Sequence, residues 1–210
     1  MAGPRYGIFG GSFDPPHIAH LILAEEAHVQ LQLDRVLWIV TPVPPHKRDA
    51  RLTPWPLRVR LVQAAVADNP AFEVSLLEGE RPGPHYAVET MRILRDRYPD
   101  ATLVYLMGGD SLADLPSWHR PSEFVALCDE IGVLRRPFDT VDLEVLEKTL
   151  PGLEAKVRFL DTPLLDISAT HIRQRVARGL PYRYFVHPGV AHLIQALGLY
   201  RLSRIREADA

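Results

Sequence analysis

Cysteine is almost missing from this sequence: Cys128 is the only one in 210 residues. A single thiol excludes a disulfide framework and any cysteine-based zinc site. Long apolar runs are missing too, and none approaches the ~18 residues that a membrane-spanning helix needs. The first residues hold no apolar signal core, because Arg5, Gly7, Gly10, Gly11 and Asp14 interrupt it. A charge excess of either sign is also lacking: 24 Lys and Arg face 26 Asp and Glu, a formal −2. Nucleic-acid-binding domains carry a clear basic excess, so neither a nucleic-acid partner nor a membrane is expected. The expectation is a soluble cytoplasmic protein. What remains, 47% hydrophobic and 24% charged, excludes a disordered or fibrous chain and supports a sizeable core.

Acids are locally absent as well. From Ile167 to Arg206 there is no Asp or Glu, while Arg173, Arg175, Arg178, Arg183, Arg201, Arg204 and Arg206 fall inside that stretch. In a second cluster, Lys47, Arg48, Arg51, Arg58 and Arg60 share their neighbourhood with Asp49 alone. Solvated helix faces account for most such residues, and phosphate binding is the sharper alternative.

Short β-rich runs alternate with helical patterns. Strands are expected at Arg5–Phe9, Arg35–Thr41, Phe72–Ser75, Thr102–Met107, Glu130–Arg135 and Val157–Leu160. Val36 to Val40 and Leu103 to Met107 are continuously apolar, as in strands covered on both faces. Helices are expected at His17–Leu33, Pro54–Ala67, Tyr86–Tyr98, Pro121–Leu127, Val141–Leu150, Ser168–Arg178 and Gly189–Leu197. In the first, Ile18, Ile22 and Val29 share a face at helical spacing. This alternation predicts an α/β fold with a doubly wound parallel sheet. Residues 1–210 read as one domain, with about 165–210 a small helical appendage of it.

In such sheets ligands bind at the carboxyl ends of the strands, so the loops there matter most. The first runs Gly10-Gly11-Ser12-Phe13-Asp14-Pro15-Pro16-His17-Ile18-Ala19-His20. Adjacent glycines allow close backbone approach to a phosphate, and a following helix start supplies N–H groups and a positive dipole end. Neither a Gly-x-Gly-x-x-Gly loop nor a P-loop is present. Asp14 fits a helix cap and Pro16 a first turn. His17 and His20, three apart, share one face and suit donation to phosphate oxygens. A metal needs a third strong ligand, and Glu25-x-x-His28 lacks a second copy, so no metal site is expected. Late in the chain, Ser168-Ala169-Thr170-His171-Ile172-Arg173 brings two hydroxyls and a guanidinium to a helix start, where they can converge on one anion.

Taken together, the two motifs resemble the nucleotidyltransferase superfamily with a His-x-Gly-His loop and a late Ser-x-Thr-x-x-Arg. Gly7 to His17, Val43-Pro44-Pro45-His46-Lys47, His85-Tyr86, Gly108-Gly109-Asp110-Ser111-Leu112, Leu115-Pro116-x-Trp118, Arg135-Arg136-Pro137 and Gly198-Leu199-Tyr200 narrow the resemblance to nicotinate mononucleotide adenylyltransferases, from about residue 5 to 201. Two departures stand out: Ala19 replaces the glycine between the histidines, and His85-Tyr86-Ala87 replaces Ser-Tyr-Thr.

The resemblance implies a Rossmann-like fold and transfer of the adenylyl group of ATP to nicotinate mononucleotide, with Mg²⁺ carried mainly by ATP. It implies catalytic roles for His17, His20 and Arg173, and ATP contacts from these and from Gly10, Gly11, Ser12, Phe13, Asp110, Ser168 and Thr170. Nicotinate mononucleotide would meet His46, Lys47, Tyr86, Ala87, Trp118 and Arg136. A tryptophan alone reads more readily as core; the resemblance implies that Trp118 stacks on the pyridine ring. Alternatives at this point are a sister enzyme using nicotinamide mononucleotide or phosphopantetheine, and a non-catalytic nucleotide-sensing module. A fragment of a class I aminoacyl-tRNA synthetase would need a Lys-Met-Ser-Lys-Ser-type loop, which is missing.

Overall fold

The structure is a computed structural model that describes residues 3–44, 52–134, 141–163 and 165–201. Its strands are β1 (Arg5–Gly11), β2 (Arg35–Val40), β3 (Phe72–Ser75), β4 (Thr102–Gly108), β5 (Glu130–Leu134) and β6 (Val157–Leu160). They form one sheet in the order β3-β2-β1-β4-β5-β6, with every neighbouring pair parallel. The order reverses between β1 and β4, and the crevice beyond their carboxyl ends is where this architecture takes ligands. The helices are α1 (Ile18–Gln30), α2 (Trp55–Val66), α3 (Ala87–Arg97), α4 (Gly109–Ala113), α5 (Pro121–Leu127), α6 (Leu143–Thr149), α7 (Leu153–Lys156), α8 (Ala169–Ala177) and α9 (Pro188–Ala196).

The apolar runs are buried on both sides, as their composition requires. Leu37 and Ile39 of β2 belong to the cluster covered by α3, α5, α6 and α7. Val36, Trp38 and Val40 face the opposite cluster, with Leu23 of α1, Leu61 of α2, Ile172 of α8 and Ile194 of α9. The period-two alternation of a strand thus builds two cores from one continuous apolar segment. Cys128 lies fully buried in the first of them, where burial pushes its thiol well above the ordinary range.

Three details differ from expectation. The face of α1 that packs on the sheet is Ala19, Leu23, Ala24 and Ala27, not Ile18, Ile22 and Val29; Val29 is 63% exposed. Three alanines let the helix lie close to the strands, an arrangement that bulkier residues would prevent. Second, β1 runs two residues past Phe9, because Gly10 and Gly11 still pair with Ile39 and Val40 of β2. Third, α4, α7 and the 3₁₀ turns Leu77–Glu80, Leu115–Ser117 and Arg183–Phe185 are too short to carry a periodic signal.

Candidate active site

A cavity of about 1060 Å³ opens over the carboxyl ends of β1 and β4. Of the candidate residues, Gly10, Gly11, Ser12, Phe13, His17, His20, Tyr86, Ala87, Asp110, Trp118, Ser168, Thr170 and Arg173 all line it. His46, Lys47 and Arg136 lie outside the described residues.

The loop after β1 is shaped by its aromatic residue as much as by its glycines. A Cβ on Gly11 would come within 2.9 Å of the Phe13 ring, and one on Gly10 within 3.0 Å of the Tyr105 hydroxyl. The space the glycines leave is therefore partly filled by the protein itself. Phe13 adopts a left-handed backbone, φ 45°, a strained state for a bulky residue that tertiary packing must hold. Its ring meets Phe9 at 5.3 Å and the His20 ring at 5.2 Å. This aromatic bed holds the His20 imidazole against the cavity wall.

His17 is the N-cap of α1, where Asp14 was expected to cap. The His17 amide donates to Nδ1 of His20 at 3.2 Å, and the two rings stack 3.6 Å apart at 22°. A ring whose Nδ1 accepts a hydrogen bond carries its proton, when neutral, on Nε2. His20 is thereby oriented as an Nε2–H donor. Pro16 sits before the cap and not within the first turn.

Asp14 has a different job from the one its position suggested. It is 3% exposed, its Oδ2 accepts the Thr53 amide at 3.0 Å, and its Oδ1 accepts the Tyr200 hydroxyl at 2.6 Å. Its carbonyl accepts Nη1 of Arg173 at 2.8 Å. That last bond brings the two sequence motifs together across 159 residues. Arg173 also donates from Nη2 to the Thr170 hydroxyl at 3.2 Å, so those two share a face as their spacing required. Ser168 caps α8, accepting the His171 amide at 3.2 Å.

Arg58 belonged to a cluster expected to be solvated or to meet phosphate, yet it is 1% exposed. Its guanidinium donates to the carbonyls of Thr53 (2.8 Å), Ser12 (2.8 Å), Thr41 (2.7 Å) and Pro42 (2.7 Å). It clamps the loops after β1 and β2 to the start of α2. Burial lowers its pKa from the ordinary value, and the Asp14 charge opposes that shift. One signal in the sequence pointed this way: Arg58, Leu61, Val62 and Ala65 fall on one helical face, and all are buried.

The other group of lining residues includes Tyr86, Ala87 and Trp118, which pack against the core cluster on the other face of the sheet. Tyr86 is the N-cap of α3 and Ala87 its first residue, as the sequence predicted. The first-turn amides of a helix have no acceptor within the helix and carry the positive dipole end. Trp118 packs on Phe124 at 5.2 Å between ring centres, partly buried against the core, and also lines the cavity. The neighbouring His119 stacks on Tyr86 at 4.2 Å. Asp110 lies in the first turn of α4, whose N-cap is Gly108, so capping is not its role. Glu78 and Thr90 also line this region and went unread in the sequence; His85, read there only as part of the departure from Ser-Tyr-Thr, lines it too.

Residues 8–175 match the family model of cytidylyltransferase-like proteins. The chain is 45% identical over 197 residues to the protein named probable nicotinate-nucleotide adenylyltransferase of Thermomicrobium roseum, covering 94% of this chain and 92% of that one. The protein of the same name from Exiguobacterium sibiricum is 44% identical over 196 residues, covering 93% of this chain and 98% of that one. Among solved structures, the fold is similar to that of Plasmodium falciparum nicotinic acid mononucleotide adenylyltransferase complexed with NaAD. The TM-score is 0.79 at 19% identity, over 94% of this chain and 97% of that one.

Proposed function

Given that this chain belongs to the cytidylyltransferase-like family, and within it to the nicotinate-nucleotide adenylyltransferases, we propose the following reaction for its cavity. It transfers the adenylyl group of ATP to nicotinate mononucleotide, releasing pyrophosphate and forming nicotinate adenine dinucleotide, a step of NAD biosynthesis. The observation that carries this reading is the Arg173–Asp14 bond. It gathers the donors of both motifs at one part of a cavity whose other wall is a helix start beside an indole.

A phosphate oxygen of the mononucleotide, already ionised at neutral pH, attacks the α-phosphorus in line with the departing pyrophosphate. No protein nucleophile is needed, so catalysis is positioning plus charge stabilisation. His20, fixed as an Nε2–H donor, and His17 beside it would meet the α- and β-phosphates. The backbone of Gly10, Gly11, Ser12 and Phe13 would pass close to the nucleotide. Ser168, Thr170 and Arg173 would hold the β- and γ-phosphates and stabilise the leaving group, with Asp110 toward ribose hydroxyls. His46, Lys47 and Arg136 are assigned to the mononucleotide.

Among the described residues no three His, Cys, Asp or Glu side chains gather as a ligand set. The groups at the phosphate end are hydrogen-bond donors. A divalent ion, which we assign as Mg²⁺, would arrive as part of the ATP substrate. No helix among the described residues is long and apolar enough to cross a membrane. From the metabolic reaction assigned to its relatives, we place the reaction in the cytoplasm.

The helix start at Tyr86 and Ala87 supplies a physical basis for substrate choice. A carboxylate accepts two N–H bonds, whereas a carboxamide turns an NH₂ donor toward donors. Because Ala87 has no hydroxyl, the preference rests on backbone donors. The deciding assay is pyrophosphate release from ATP and Mg²⁺ with nicotinate mononucleotide, nicotinamide mononucleotide and phosphopantetheine side by side. Nicotinate mononucleotide should exceed the amide in kcat/KM by at least about tenfold, the worth of one mispaired buried donor. Equal values would sink the assignment.

A further inference from the structure

The turn leading into α3 is closed by one buried carboxylate. Glu78 is 4% exposed, and its Oε1 accepts the Thr90 hydroxyl at 2.5 Å. Arg81 donates from Nη2 to the same Thr90 oxygen at 3.0 Å and lies 4.0 Å from Glu78 Oε1. Thr90 sits one helical turn beyond Tyr86, to whose carbonyl its amide donates at 3.3 Å. His85 approaches the Arg81 carbonyl through Nε2 at 3.2 Å. These bonds fold residues 78–81 back against residues 85–90, and Glu78, His85 and Thr90 all line the cavity.

The cluster is poorly built for stability alone. Glu78 Oε2, Arg81 Nε and His85 Nδ1 are buried with no hydrogen-bond partner among the described residues. Each such atom costs folding free energy, and three together in one turn are unusual. Polar groups kept under that penalty beside a cavity point to a geometric requirement of the site. The turn they hold carries the first-turn amides of α3.

We propose that Glu78 is a positioning residue for substrate choice. Through Thr90 and Arg81 it sets where the first turn of α3 stands, and so where the Ala87 and Val88 amides meet the acid group of the mononucleotide. It touches no substrate itself. A buried carboxylate acting directly would repel an acidic ligand, and Arg81 offsets its charge. The proposal rests on the cavity's being a nicotinate mononucleotide site.

The test compares the full chain with Glu78→Gln, Thr90→Val and Thr90→Ser, varying nicotinate mononucleotide, nicotinamide mononucleotide and ATP in turn. Displacing a binding group by a fraction of an ångström costs roughly tenfold or more. KM for nicotinate mononucleotide should rise about tenfold in Glu78→Gln and Thr90→Val, the acid-to-amide ratio should fall toward about one, and KM for ATP should stay within about twofold. Thr90→Ser, which keeps the hydroxyl, should behave as the wild type. If the charge of Glu78 acted directly, Glu78→Gln would instead lower KM for the acid, and the proposal fails. It fails equally if folded Thr90→Val keeps the wild-type ratio, and that variant decides should Glu78→Gln not fold. A wild-type chain that does not prefer the acid overturns the functional reading; a preference that survives both variants overturns only this proposal.

Discussion

The hydroxyl of Tyr200 donates to Oδ1 of Asp14 at 2.6 Å, joining two residues 186 apart in the chain. Burial and the neighbouring carboxylate push the phenol's pKa well above its ordinary value, so it remains a proton donor across the working range of pH. Asp14 in turn receives Thr53 and Arg173. The segment after α9 therefore closes directly onto the loop that leads into the two histidines at the start of α1.

Tyr200→Phe removes that donor and leaves a buried carboxylate oxygen short of a partner. The expected loss of stability is about 1–3 kcal/mol. For a chain of this size that corresponds to a fall in Tm of roughly 2–10 °C, readable by thermal unfolding. A variant melting with the wild type would show that the contact contributes nothing net.

Arg58 should be harder to replace. Four carbonyls depend on its guanidinium, and Arg58→Met strands them in a buried setting. Loss of about 3–5 kcal/mol is expected in urea unfolding. Arg58→Lys should recover little of it, because an ammonium offers three donors from one point where the fork reaches four acceptors. Full recovery with lysine would mean that charge, not fork geometry, holds the loops.

His20→Ala and His17→Ala should lower kcat far more than they raise KM for the mononucleotide. Loss of one preorganised donor to developing charge costs about 10²–10³ in kcat. Both variants retaining more than about half the wild-type rate would remove the histidines from catalysis.

Arg173→Ala should lower kcat/KM for ATP at least about tenfold, as expected for a charged hydrogen bond of roughly 1.5–3 kcal/mol. The Arg173–Asp14 bond adds a second readout: Tm should fall as well, since the Asp14 carbonyl loses its partner. Unchanged use of ATP with a lowered Tm would assign Arg173 to structure alone.

Much of the site was legible because its parts are local. The three-residue spacing of His17 and His20, or of Thr170 and Arg173, places each pair on one face before any tertiary fold exists. The helix starts at Ser168 and Tyr86 could be read from sequence for the same reason. Glu78, Arg81 and Thr90 left no such trace, because their contacts close a turn whose conformation no periodicity describes.

The alternation of apolar strands with helices determined the α/β class and nearly every long element, since burial on both faces demands continuous apolar runs and local spacing sets helix or strand. Which charges went inside was decided by tertiary structure, with only the place of Arg58 on an apolar helix face legible beforehand. Asp14 looked like a cap and Arg58 like a solvated or phosphate-facing charge, yet both are buried, because partners 39 and 186 residues from Asp14, and carbonyls up to 46 residues from Arg58, satisfy them. It also decided the buried face of α1, where three alanines and a leucine took the contact expected of Ile18, Ile22 and Val29. The physical reason is the same in each case. The cost of burying a group depends on what meets it in space, and a partner distant in the chain leaves no mark on the residues beside it.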